Sequence, residues 1–115
     1  MNAVKLVVFP TSDIAKSKAF FSELLGAEPY ADSPYYTGFK AGEMEIGLTP
    51  AMPQQSTTAP IVYVDVADIN VALAAIVAKG GEKVQDPTDV ANGLLIVIVK
   101  NLDGSAIGLR QLPRE

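Results

Sequence analysis

Cysteine and histidine are both missing from this chain of 115 residues. Without cysteine there are no disulfides, no thiolate nucleophile and no cysteine-ligated zinc. Without histidine the commonest general base near neutral pH and the commonest metal ligand are gone together, which excludes Ser-His-Asp and Cys-His catalysis. Positive charge is scarce as well. Nine Lys and Arg stand against thirteen Asp and Glu, for a net charge of -4, and no basic cluster able to grip a phosphate backbone is present. No apolar run approaches the roughly 20 residues of a membrane-spanning helix. Met1-Asn2-Ala3-Val4-Lys5 lacks the charged-then-apolar order of a secretory signal. A cytoplasmic protein with neither nucleic acid nor membrane as partner is expected.

What the chain does have is apolar material, 49% of its residues, enough to fill the core of one domain. It also has an internal repeat. Asp13-Ile14 through Gly26 recurs at a constant offset as Asp68-Ile69 through Gly81, the signature of one supersecondary unit used twice. In each copy an apolar run precedes the Asp-Ile pair, a helical pattern follows it, and glycine closes the helix.

In the first copy Val4 to Phe9 reads as a buried strand ended by Pro10, and Thr11-Ser12-Asp13 offers oxygens to cap a helix. Ile14, Ser17, Phe20, Phe21, Leu24 and Leu25 form the apolar side of that helix. Glu28 to Tyr30, Tyr35 to Lys40 and Glu43 to Leu48 read as three antiparallel strands, the last two joined by a turn at Ala41-Gly42. Pro50 to Pro60 carries three prolines and no periodicity, so the predicted organisation is module one at 1–50, a linker at 51–59 and module two at 60–115. The second copy opens with a strand at Ile61 to Val66 and a helix with the stripe Ile69, Ala72, Leu73, Ile76 and Val77, stopped by Gly80-Gly81. A strand around Glu82 to Gln85, a hairpin at Asn92-Gly93, a buried strand at Leu94 to Val99 and a turn at Asp103-Gly104 complete it.

The segment from Asp13 to Gly26 resembles the Asp-Leu-x-x-Ser-x-x-Phe-Tyr-x-x-x-Leu-Gly helix of the vicinal oxygen chelate superfamily, which includes glyoxalase I, the bleomycin-resistance proteins and the extradiol dioxygenases. Asn101 to Leu109 resembles the same superfamily's Asp-Pro-Asp-Gly-x-x-Ile-Glu-Leu hairpin. The resemblance spans nearly the whole chain. It implies an α+β fold of two tandem βαβββ modules forming a curved, mostly antiparallel eight-stranded sheet around a cleft, with the helices on the convex side.

Metal-dependent members of that superfamily place His, Glu or Gln at one position on the first and last strand of each module. Those positions here are Leu6, Gly47, Ile61 and Gly108. None offers a lone pair to a metal, so no metal and no cofactor are expected, and glycine at two of them is expected to widen the cleft. Glu45 and Asp65 share the same face by the period-2 pleat and would make at best a weak oxygen site. The bleomycin-resistance branch resembles this pattern: it keeps the fold, lacks the metal and sequesters a drug, usually as a dimer.

Residues two apart from the former ligand positions share their face. The expected ligand-binding set is therefore Leu6, Val8, Glu45, Gly47, Thr49, Ile61, Tyr63, Asp65, Gly108 and Arg110, with Ile46, Leu48, Val62, Val64, Ile107 and Leu109 turned toward the helices. Tyr63 would offer a platform to a planar ligand, Glu45 and Asp65 would hold a cationic group, and Arg110 an anionic one. Each also has a plain structural role open to it, in sheet packing or ion pairing. Tyr30, Tyr35 and Tyr36 cluster around Pro34, a pattern that suits either a flat ligand or edge-strand packing.

Three functions follow. The first is a homodimer that binds a small molecule, planar or cationic, without turnover and with no catalytic residues, as in antibiotic sequestration. The second is a divergent lyase, isomerase or dioxygenase using Glu45 and Asp65 or an atypical metal site. The third is a regulatory module with a vestigial cleft.

Overall fold

The computed structural model describes residues 2–51 and 59–113. Residues 52–58, which make up most of the expected linker, lie outside the described residues. The chain is α+β and divides into two compact units, Lys5–Ile61 and Met1–Val4 with Val62–Glu115.

The first unit is built from β1 (Ala3–Thr11), α1 (Ile14–Leu25), β2 (Ala31–Asp32), β3 (Thr37–Ala41) and β4 (Met44–Pro50). β1 lies parallel to β4, while β3 is antiparallel to both β4 and β2. Pro10 does not end β1 as expected. It pairs with Thr49, and the Thr11 carbonyl accepts from the Ala51 N–H at 3.0 Å. In a parallel ladder alternate residues bond to opposite sides, so the N–H that Pro10 lacks would point away from β4.

The duplicated Asp-Ile pair is a helix start. Asp13 accepts from the Lys16 N–H at 3.1 Å, and Asp68 accepts from Asn70 and Val71 at 3.0 and 3.1 Å. Gly26 closes α1 at φ 66°, a left-handed conformation that glycine adopts without strain. The expected apolar stripe of α1 is only partly covered: Phe21 packs at 5.0 Å between ring centroids from Phe9, but Phe20 and Leu24 are 62% and 64% exposed. None of the twelve residues of α1 is fully buried: Ile14, Ser17, Phe21 and Leu25 form a half-buried row, and Phe20 and Leu24 beside it stay in water.

The second unit is built from β5 (Ile61–Asp65), α2 (Ile69–Ala78), β6 (Glu82–Lys83), β7 (Thr88–Ala91), β8 (Leu94–Lys100) and β9 (Ala106–Gln111). β5 is parallel to β9, β9 antiparallel to β8, and β6 and β7 both pair with β8. Together β6 and β7 are one edge strand interrupted near Pro87, which keeps the βαβββ scheme. Ile69 and Leu73 of α2 pack with Val64, Val97, Val99, Ile107 and Leu109, as expected of Val64, Ile107 and Leu109, whereas Val62 of the same expected face is 39% exposed. Val77 of the expected stripe is exposed.

Candidate functional site

In the first unit the sheet face opposite α1 carries Leu6, Val8, Glu45, Gly47 and Thr49. The parallel register sets Leu6 beside Glu45 and Val8 beside Gly47, and both apolar side chains are buried. On the far side of β4, Gly38 pairs with Gly47 and Lys40 with Glu45. Two adjacent strands thus present glycine side by side. The resulting trough is filled by rings. A Cβ added to Gly47 would lie 2.7 Å from the Tyr36 Oη and 2.8 Å from its Cε1, and one added to Gly38 would lie 2.9 Å from Tyr30. Bare strand backbone exposes peptide groups and packs nothing, and an aromatic ring laid across it restores both shielding and contact.

Tyr30 reaches past Gly38 and its Oη donates to Glu45 Oε1. Lys40 Nζ lies 3.4 Å from the same oxygen and 4.7 Å above the Tyr30 ring. Although about half of Tyr30 is exposed, partial desolvation of its phenol, followed by the hydrogen bond to Glu45 and the proximity of Tyr36, pushes it above its ordinary range. Tyr30 is therefore held as a donor.

In the second unit Tyr63 pairs with Gly108 and Asp65 with Arg110. The Tyr63 ring lies directly on Gly108: a Cβ there would sit 2.3 Å from Cδ1 and 2.4 Å from Cε1. Only 7% of Tyr63 is exposed, and Ile61 at the start of the strand is also buried. Arg110 Nε and Nη2 donate to Asp65 Oδ1 at 2.7 Å and Oδ2 at 3.0 Å. This two-pronged pair is largely shielded from water, with side chains 11% and 17% exposed.

The expectation that Gly47 and Gly108 widen a cleft is corrected by this geometry. The space each glycine leaves is taken by a tyrosine of the same unit, although the two tyrosines come from different places, Tyr36 from the segment before β3 and Tyr63 from β5. The tyrosine cluster noted in the sequence has a divided fate: Tyr30 and Tyr36 cover glycines, whereas Tyr35 is 80% exposed.

A divalent metal does not fit these residues. Leu6, Gly47, Ile61 and Gly108 carry no donor atom, and a carboxylate at Gly47 or Gly108 would collide with a ring. Glu45 and Asp65 are engaged by Tyr30 with Lys40 and by Arg110. Among the described residues no group of three or more His, Cys, Asp and Glu is placed to hold a metal ion.

Sequence reasoning missed Lys40. A turn at Ala41-Gly42 sets it opposite Glu43, but the turn is at Gly42-Glu43, with Ala41 paired to Met44 and Lys40 to Glu45. The identity of Gly42 was the available signal, since a two-residue hairpin turn with one positive-φ residue takes glycine at its first central position, which sets the turn at Gly42-Glu43, and Gly42 has φ 67°.

Comparison with known proteins places this geometry in context. Residues 3–109 match the model of the Glyoxalase/Bleomycin resistance protein/Dioxygenase superfamily. An uncharacterized protein of Mycolicibacterium smegmatis is 23% identical over 113 residues, covering 98% of this chain and 97% of that protein. Among solved structures, a hypothetical protein from Bacillus halodurans C-125 superposes with a TM-score of 0.77 at 14% identity, covering 99% of this chain and 96% of the other. Methylmalonyl-CoA epimerase from Mycobacterium tuberculosis gives 0.75 at 14% identity, with 97% and 88% covered. A Legionella pneumophila chain described as an NAD-dependent benzaldehyde dehydrogenase gives 0.71 at 23% identity, with 93% and 97% covered. These structural likenesses are likenesses of fold. With the family model matched over nearly its whole length, the chain belongs to the Glyoxalase/Bleomycin resistance protein/Dioxygenase superfamily.

Proposed function

We propose that this chain is a metal-independent member of its superfamily that binds a small organic molecule without turnover, as a homodimer, in the manner of antibiotic sequestration. The observation that carries the reading is the pair of tyrosine rings on Gly47 and Gly108. Where a metal-dependent relative needs a donor side chain, each unit has instead a tyrosine ring, half-buried at Gly47 and buried at Gly108. Aromatic and aliphatic surface edged by a few polar groups is the usual lining of a site for a flat organic ligand. Glu45 with Tyr30, and Asp65 with Arg110, supply that polar edge.

The Tyr30–Glu45 hydrogen bond also supports a second reading, an isomerase or lyase in which Glu45 moves a proton. One experiment separates the two. In a native mass spectrum of gently purified protein, the expected result is a species at twice the 12.1 kDa subunit mass, carrying organic mass and no divalent metal. A stoichiometric metal would overturn the first reading and leave the enzyme in its place. A bare monomer that gains no mass from a panel of planar amines would remove the binding function.

A further inference from the structure

We propose that the Tyr30 ring and the Glu45 carboxylate form a subsite for the ammonium group of a flat organic ligand, and that the Lys40 ammonium occupies it as a stand-in until the ligand displaces it. This rests on the small-molecule reading above and names the ligand chemistry for one part of the site. The parts are built rather than incidental. Gly38 and Gly47 leave a flat floor, Tyr30 and Tyr36 lie on it, and the Tyr30 Oη fixes the carboxylate beside the ring. A cation already sits where such a site would bind one, 4.7 Å from the ring centroid and 3.4 Å from the carboxylate oxygen.

That cation is weakly held. The Lys40 side chain is 66% exposed, and an exposed lysine loses side-chain entropy for little Coulomb gain. An alkylammonium carried on a flat ring, as in benzylamine, brings the same charge on a rigid body that also stacks on tyrosine, so it gains contact that the lysine stem does not make. Lys40 then sets a threshold, because apparent affinity falls by the fraction of time the subsite is closed.

The test is an NMR titration of the full chain with benzylamine and, as its uncharged counterpart, benzyl alcohol. Benzylamine is expected to move the Tyr30 and Lys40 resonances, to bind roughly two- to fivefold more tightly to Lys40→Met, and to bind about tenfold more weakly to Glu45→Gln. Benzyl alcohol is expected to be indifferent to Glu45→Gln. Equal affinity for the two probes, or weaker benzylamine binding to Lys40→Met, overturns the subsite and leaves the small-molecule reading standing. Failure of both probes to bind wild type and Lys40→Met also overturns it, and the organic mass retained in the native spectrum then judges the broader reading separately.

Discussion

At the residue scale the glycines on the helix-free faces decide most of the local chemistry. Gly108 has no positive φ to satisfy; its constraint is the Tyr63 ring, whose Cδ1 stands 2.3 Å from where a Cβ would be. Gly108→Ala should therefore act as overpacking and cost about 1–3 kcal/mol. In a Tyr63→Ala background most of that cost should vanish, a coupling read from the thermal melts of the four proteins in the cycle. Equal costs in both backgrounds would mean the ring is not what excludes the methyl group. The Tyr30 phenol gives a pH signature. Its folded-state pKa is raised by burial and by Glu45 from an ordinary value of 10.0, so it contributes stability that is fully present below that value and lost as pH rises through the folded one. The phenolate absorbance lost in a Tyr30→Phe difference titration should appear above the ordinary tyrosine range in the wild type. Glu45→Gln should bring that midpoint down toward the ordinary value.

At the element scale the two helices are anchored differently although they are copies. Each begins at an aspartate cap, but α2 has a second support: the buried Gln111 on β9 accepts from the Ile69 N–H at 2.8 Å through its Oε1. That bond covers one of the N–H groups a helix start leaves without an internal partner. Asp13→Ala and Asp68→Ala should each cost about 1 kcal/mol, with Asn retaining most of the stability. Gln111→Ala should cost about 1–3 kcal/mol because it strands a buried donor. Denaturant midpoints at constant slope would check all three. The asymmetry follows from sequence drift between the copies, since Thr11 and Ser17 hydroxyls, 2.7 Å apart, flank the start of α1 instead.

At the scale of the whole molecule, duplication is preserved in plan and lost in chemistry. Both units keep a strand parallel to their last strand, an aspartate-capped helix and a glycine on the central strand of the helix-free face. Their polar groups have diverged. The first unit carries a tyrosine, a carboxylate and a lysine at its edge, and the second a shielded Asp65–Arg110 pair. Apolar side chains left in water on the helices include Phe20, Leu24 and Val71.

Much of this was legible in the sequence because it is local or periodic. The Asp-Ile repeats fixed both helix starts, Gly26 fixed one helix end, and alternation along β4, β5 and β9 sorted Leu48, Val64 and Leu109 from Glu45, Asp65 and Arg110. That Leu6, Gly47, Ile61 and Gly108 carry no donor side chain was likewise plain from residue identity. What the sequence could not give was occupancy of space. An absent side chain reads as a void until the fold shows which neighbour moves in, and Tyr36 reaches Gly47 only because β3 and β4 pair with Gly38 opposite Gly47. The partners of Glu45 were equally hidden, since a hairpin turn displaced by one residue changes every cross-strand pair beyond it. Pattern determined the elements and their faces; only tertiary packing decided which side chains meet there, because contact depends on register and ring placement that no period encodes.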